Sequence, residues 1–334
     1  MQKSLMGTHS GIVGVGSYLP EKILTNFDLE KIVDTSDEWI RTRTGIEERH
    51  VAADDEATSD LSYNAAKEAL EMSGIKPEEL DMIIVGTVGP DYAFPATAAL
   101  VAHRLGARNA VGFDLEAACA AFVTGITVGD GMIRSGLMKN VLVIGVELLT
   151  RISDFTDRNT CVLFGDGAGA AVLAPVAEGE GLLAHFLKSN GAGGEFLIQP
   201  GGGTRNPATR ETVEKRMHYV HMDGQEVYKN AVRGMVEAAK SVLEQSGYTS
   251  NDVDLLVPHQ ANIRIMEAVR KRLKIPAEKT VVNIAKMANT SSATIPICLA
   301  DAVKEGRLKK GDLVLTTTFG AGFTWGANLI RWSF

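Results

Sequence analysis

Ser73-Gly-Ile-Lys-Pro-Glu-Glu-Leu-Asp-Met-Ile-Ile-Val85 returns later in the chain as Ser246-Gly-Tyr-Thr-Ser-Asn-Asp-Val-Asp-Leu-Leu-Val257. Each copy follows an amphipathic helical pattern, over residues 61–72 and 227–245. Each ends in a short strand of branched or leucine-rich residues. The copies lie about 173 residues apart, and other segments echo at nearly the same interval. Asn140-Val-Leu-Val-Ile-Gly145 pairs with Asp312-Leu-Val-Leu-Thr-Thr317. Gly167-Ala-Gly-Ala-Ala-Val-Leu173 pairs loosely with Gly322-Phe-Thr-Trp-Gly-Ala-Asn-Leu329, with the interval shortened by an extra loop over residues 149–160. Apolar strands alternating with helices imply sheets covered on both faces. The chain is therefore expected to be a duplicated α/β fold, its halves at 11–176 and 177–334 related by a pseudo-twofold axis.

The repeat makes a statement about chemistry. Cys119, in Asp114-Leu-Glu-Ala-Ala-Cys-Ala-Ala-Phe122, reads as the first turn of a buried helix. Unpaired N–H groups and the helix macrodipole favour a thiolate there, and the thiolate is the nucleophile. Advancing by the repeat interval leads from Cys119 to Ser292, within Asn289-Thr-Ser-Ser-Ala-Thr-Ile-Pro296. The two segments should begin equivalent helices that meet near the axis. His259 follows Leu255-Leu-Val-Pro258 at a strand end, where α/β sheets bind ligands. Cys119, His259 and Asn289 should thus share one side of the molecule.

Composition narrows the classes. With 334 residues, 45% hydrophobic and 22% charged, the chain suits a globular protein of about two domains. A net charge of −7 argues against nucleic acid as a bulk partner. Cys119, Cys161 and Cys298 have neither zinc spacing nor a disulfide framework, which suits a reducing, cytoplasmic setting without a metal. No apolar stretch approaches the roughly 18 residues of a membrane span. Residues 1–10 read as a disordered extension with a possible second start at Met6. Glycines in 191–203 mark a long connection, about 182–222, of the length that serves as a lid or binding loop. Gly165-Asp-Gly-Ala-Gly169 is a poor dinucleotide loop: its third glycine is misplaced and it precedes a strand.

Over residues 11–334 the chain resembles the 3-oxoacyl-[acyl-carrier-protein] synthase III family of the thiolase-like superfamily. The matching stretches are Asp34-Thr-Ser-Asp-Glu-Trp-Ile-Arg-Thr-Arg-Thr-Gly-Ile46, Ala117-Ala-Cys119, Phe164-Gly-Asp-Gly-Ala-Gly-Ala170, Pro258-His-Gln-Ala-Asn262, Asn289-Thr-Ser291 and Phe319-Gly-Ala-Gly-Phe-Thr-Trp-Gly326. A Cys–His–Asn order sets this family apart from relatives with Cys–His–His or a second cysteine. The resemblance implies a five-layer αβαβα fold and the priming condensation of fatty acid synthesis. Acyl-CoA would acylate Cys119. His259 and Asn289 would stabilise the enolate formed as malonyl-ACP loses CO2, and that carbanion would attack the acyl thioester.

The resemblance also assigns supporting roles. Cys119 and Ala321 N–H groups would form an oxyanion hole, Ala321 standing where glycine is common. Trp39, Arg43, Arg158 and Asn262 match CoA-binding positions; Gln225 stands where asparagine is common near the pantetheine. Gln260, Arg264, Lys271 and Arg272, at or in the basic stretch 262–274, would dock the acidic acyl carrier protein. Phe94 would cross a homodimer interface to close the partner's acyl pocket. CoA thioester and phosphopantetheinyl-ACP are substrates, so no cofactor is implied. A specialised condensing relative that uses another acyl acceptor would share the Cys–His–Asn set.

Overall fold

The computed structural model describes residues 9–334. The first sheet contains β1 (His9–Tyr18), β2 (Met82–Gly86), β3 (Val111–Leu115), β4 (Val141–Leu148) and β5 (Asp166–Val176), ordered β1-β5-β4-β2-β3. The second contains β6 (Gly181–Ser189), β7 (Leu255–Pro258), β8 (Leu313–Gly320) and β9 (Thr324–Arg331), ordered β7-β8-β9-β6. Read from β6, the second sheet repeats the first, strand for strand and direction for direction. Only the fifth strand is reduced, to a single parallel bridge between Leu256 and Thr280.

Alternating side chains split the core into layers. Along β4, Val141 and Val143 face the central layer, while Leu142, Ile144 and Val146 face outward. Helices Ala121–Arg134 and Thr294–Lys304 lie between the sheets. Helices Thr58–Ser73 and Thr97–Leu105 cover the first sheet, and Gly224–Ser246 and Ile263–Leu273 cover the second. The result is the expected αβαβα stack. Phe122, 2% exposed, seats the first central helix, a burial worth about 3 kcal/mol.

Both central helices open in the same way. A 3-10 turn, Ala118–Ala120 or Ser291–Ala293, leads directly into each helix. Ala118 and Ser291, the repeat interval apart, both take left-handed backbone angles, with φ 45° and 51°. Non-glycine residues rarely adopt that region without a constraint from their surroundings. Here the constraint is close packing on the opposite sheet. A Cβ on Gly320 would lie 2.7 Å from the Cys119 nitrogen, and one on Gly145 would overlap the Ser292 carbonyl oxygen.

Three expectations change. His9 and Ser10 belong to β1, and Ser10 is buried, hydrogen-bonded to Asp130 at 2.6 Å; the rest of the proposed amino-terminal extension lies outside the described residues. The long connection is shorter than read, because residues 181–189 pair with β9. The extra loop is longer, filling all of 149–165 between β4 and β5.

Gly145→Ala should lower stability by about 2 kcal/mol, the usual cost of overpacking, in urea unfolding. Gly89→Ala, where a new Cβ meets nothing within 4 Å, should not.

Candidate active site

Cys119, His259 and Asn289 line one cavity of about 210 Å³. Cys119 comes from the turn before the first central helix, Asn289 from the segment before the second, and His259 from just beyond β7. The Asn289 backbone is tied at both ends to the 163–165 segment: its N–H donates to the Leu163 carbonyl (3.0 Å), and its carbonyl accepts from Gly165 (3.1 Å). Its Oδ1 accepts from the Ser291 N–H at 2.9 Å, which turns the amide NH2 toward the cavity as a donor. The glycines after Phe164 have a packing role. Gly167 and Gly169 admit Ile297 and Pro296 of the second central helix, so the segment is a strand packed on a helix rather than a nucleotide loop.

Burial sets the electrostatics. The Cys119 thiol is pushed up to about 12, chiefly by desolvation, against the favourable neighbouring Ser291 hydroxyl. Desolvation thus favours the neutral thiol over the thiolate. His259 is pushed down to about 3 by burial alone, so the imidazole is neutral. Its Nδ1 meets the Thr294 hydroxyl at 2.7 Å, and that hydroxyl also lies 3.0 Å from the Ser291 carbonyl oxygen. Thr294 has one proton to give. The Ser291 carbonyl can only accept, so that proton goes to it; Nδ1–H then donates to the Thr294 hydroxyl, and Nε2 is the acceptor nitrogen of the neutral ring.

Cys119 carries its own donor. Neither its N–H nor that of Ala321 has a backbone partner among the described residues. Ala321 lines a second space of about 440 Å³ that also reaches Cys119, Val88, Leu197 and Ser291. The Cys119 carbonyl is held by the Thr318 hydroxyl at 2.8 Å. The long connection lines these spaces through Leu197 and Met222.

A wider mouth of about 870 Å³ opens at Trp39, Arg43 and Gln225. It shares Asn159, Met222 and Gly224 with the inner cavity, so a narrow passage leads from surface to thiol. Arg43 and Arg158 sit 4.4 and 5.0 Å from the Trp39 ring centroid, a cationic surround for the indole. Arg158 also donates to the Asp34 carbonyl at 2.9 Å. Asn262 lines the inner cavity and caps the basic helix, its Oδ1 accepting from the Arg264 N–H at 2.8 Å.

On the basic helix, Arg264, Lys271 and Arg272 are exposed. Lys271 lies 3.6 Å from Glu267, and Arg270 is clamped by the same carboxylate at 2.7 Å. Gln260 is the correction. It is fully buried, donating to Pro258 and Val281 carbonyls (2.8 and 3.2 Å) and accepting from Asn283 N–H (3.1 Å). It ties β7 to the reduced fifth strand and cannot meet a docked protein. Phe94 lines none of these cavities and is 85% exposed. Sequence reading passed over Thr294, Ser291 and Glu147: the first two sit within the quoted 289–296 run, and the third ends an apolar strand.

Sequence profiles described as 3-oxoacyl-[acyl-carrier-protein (ACP)] synthase III match residues 113–191, and those of its C-terminal region match 243–332. A beta-ketoacyl-[acyl-carrier-protein] synthase III of Caldanaerobacter subterraneus subsp. tengcongensis is 55% identical over 97% of this chain and 98% of the relative. The crystal structure of 3-oxoacyl-[acyl-carrier-protein] synthase III from Aquifex aeolicus VF5 superposes with a TM-score of 0.90 at 48% identity, covering 98% and 100% of the two chains. That of the Pseudomonas aeruginosa PAO1 protein gives 0.90 at 41% identity, covering 98% and 99%.

The His259 ring should stay neutral through pH 5, titrating near 3 in 15N NMR. Because unfolding raises this pKa, stability should fall as pH drops below about 6.5. Thr294→Val should shift the ring nitrogens toward a mixture of tautomers; an unchanged spectrum would contradict the assigned hydrogen bond.

Proposed function

The chain belongs to the 3-oxoacyl-[acyl-carrier-protein] synthase III family, and on that premise we propose that it condenses an acyl-CoA primer with malonyl-ACP to a 3-oxoacyl-ACP, opening fatty acid synthesis. The observation that carries this reading is the single cavity lined by Cys119, His259 and Asn289 at the foot of a cation-rimmed passage. Cys119 attacks the thioester carbonyl of acyl-CoA, the tetrahedral oxygen is met by the Cys119 and Ala321 N–H groups, and CoA departs. Malonyl-ACP then enters by the same passage. The Asn289 amide donates to its thioester oxygen as CO2 leaves, joined by His259 when Thr294 turns to donate to Nδ1 and the ring hydrogen moves to Nε2, and the carbanion attacks the acyl-Cys119 carbonyl. Both donors are neutral, so neither raises the energy of an enolate as a carboxylate would. Each such preorganised donor is worth about 3 kcal/mol in the transition state. Splitting the reaction at a covalent intermediate gives ping-pong kinetics.

Trp39 and Arg158 suit the adenine of CoA, Arg43 its phosphates, and Asn262 and Gln225 the pantetheine arm. Arg264, Lys271 and Arg272 suit the acidic carrier protein, with Arg264 nearest the passage: its guanidinium donates to the Thr42 carbonyl at 3.2 Å. Gln260 has no part in that surface. The outer edge of β3 is unpaired, and Phe94 stands exposed beyond the chain's own cavity. A homodimer joined along that edge would cover both, and Phe94 would close the partner's acyl pocket. All the substrates are water-soluble, which suits the cytoplasm, and among the described residues no helix is long and apolar enough to cross a membrane.

Incubation with acetyl-, isobutyryl- and octanoyl-CoA should label Cys119 alone, read by intact mass, and the preferred primer follows from the relative rates. Cys119→Ala should take no label. Arg264→Glu should slow turnover with malonyl-ACP about tenfold while acyl loading from CoA changes less than twofold. Equal loss of both steps would remove the docking role.

A further inference from the structure

The two halves differ at one position beside the nucleophile. Gly145 of β4 and Thr318 of β8 stand one repeat interval apart, and each pairs with a glycine of the next strand, Gly169 and Gly326. Ser292 and Cys119 are separated by the same interval. In the first sheet, bare backbone meets the turn: a Cβ on Gly145 would overlap the Ser292 carbonyl oxygen. In the second, the matching carbonyl, that of Cys119, accepts a hydrogen bond of 2.8 Å from the buried Thr318 hydroxyl.

The turn does not need that hydroxyl to form. Ala118 and Ser291 hold nearly the same left-handed angle, φ 45° and 51°, although only the first turn has a threonine behind it. What distinguishes the first turn is the thiol it carries. Side chains alternate along β8. The Thr317 hydroxyl meets the Met235 carbonyl at 2.9 Å and Phe319 joins the outer core, so Thr318 and Gly320 share the face toward Cys119. The strand then ends, and Ala321 lines the space it shares with Cys119. The Thr318 bond therefore ties the strand that leads into one oxyanion donor to the residue that carries the other, across 199 residues of sequence.

We propose that Thr318 is a positioning residue for acyl loading: by holding the Cys119 carbonyl, its hydroxyl keeps the Cys119 and Ala321 N–H groups at the separation at which both reach one thioester oxygen. The hydroxyl makes and breaks no bond with substrate; it acts through the two backbone donors. Such donors lower a barrier only when they are aimed in advance at the place where charge develops. A misplacement of about 1 Å can cost about 100-fold in rate. Gly320 sets the closeness of the turn to the strand, and Thr318 sets its place along the strand.

The proposal rests on the acyl-Cys119 reading, and the experiment separates the two. Two reactions of the same sulfur are compared by intact mass: single-turnover loading from acetyl-CoA, which needs the oxyanion donors, and alkylation by iodoacetamide, a direct displacement that does not. Thr318→Val, which keeps the shape and removes the hydroxyl, should load about 30-fold more slowly at saturating acetyl-CoA, with the half-saturating concentration changed less than twofold. Its alkylation rate should stay within twofold of wild type. Thr318→Ser restores the hydroxyl and should bring loading back to within about threefold. Thr318→Ala loses the same hydroxyl without new bulk and serves for the comparison if the valine variant does not fold. Loading at the wild-type rate without the hydroxyl, or equal slowing of loading and alkylation, overturns the positioning role. Absence of any acetyl adduct on Cys119 in the wild-type protein would instead overturn the proposed function.

Discussion

Two tight turns, packed against the opposite sheets at the centre of the molecule, are the constraint on which the rest depends. Ala118 and Ser291 hold left-handed angles in them, and Gly320 and Gly145 leave room for the neighbouring backbone. Each turn ends one sheet's crossover and starts one central helix. Their approach brings a thiol and a carboxamide, distant in sequence, to the same cavity. His259 joins them because β7 ends beside the second turn, with Thr294 of that turn's helix on its ring. The strained angles persist because the two packed halves over-determine them.

Environment then divides the labour. Cys119 and Glu147 are both shifted toward their neutral forms by desolvation, and His259 is likewise held neutral. A site whose groups favour their neutral forms suits chemistry that creates an anion in the transition state, since donors fixed in advance then face no competing charge. The charged groups stay outside, around Trp39 and along the 263–273 helix, where they can meet anionic parts of a substrate or partner.

Much of this was legible in the sequence because a repeat carries topology with it. The interval between residues 73 and 246 led to both sheets, both central helices and the meeting of Cys119 with the 289–296 run. What sequence could not carry was direction. Gln260 sits between His259 and Asn262 in a stretch rich in site residues, yet its amide turns inward to serve the backbone left open by the reduced fifth strand. Residues 182–189 read as an excursion because glycines follow them, but they pair with β9. Glu147 ends an apolar strand as many surface carboxylates do; only the packing of Ser291 over it makes it a buried acid.

The account turns on one cavity performing two separable steps with different side chains. The direct measurement uses a protein carrying both His259→Ala and Asn289→Ala, assayed for acyl transfer to Cys119 and for release of CO2 from malonyl-ACP. Retained acylation with CO2 release reduced at least 100-fold is the expected result. Loss of the acyl adduct, or decarboxylation at the wild-type rate, would contradict it.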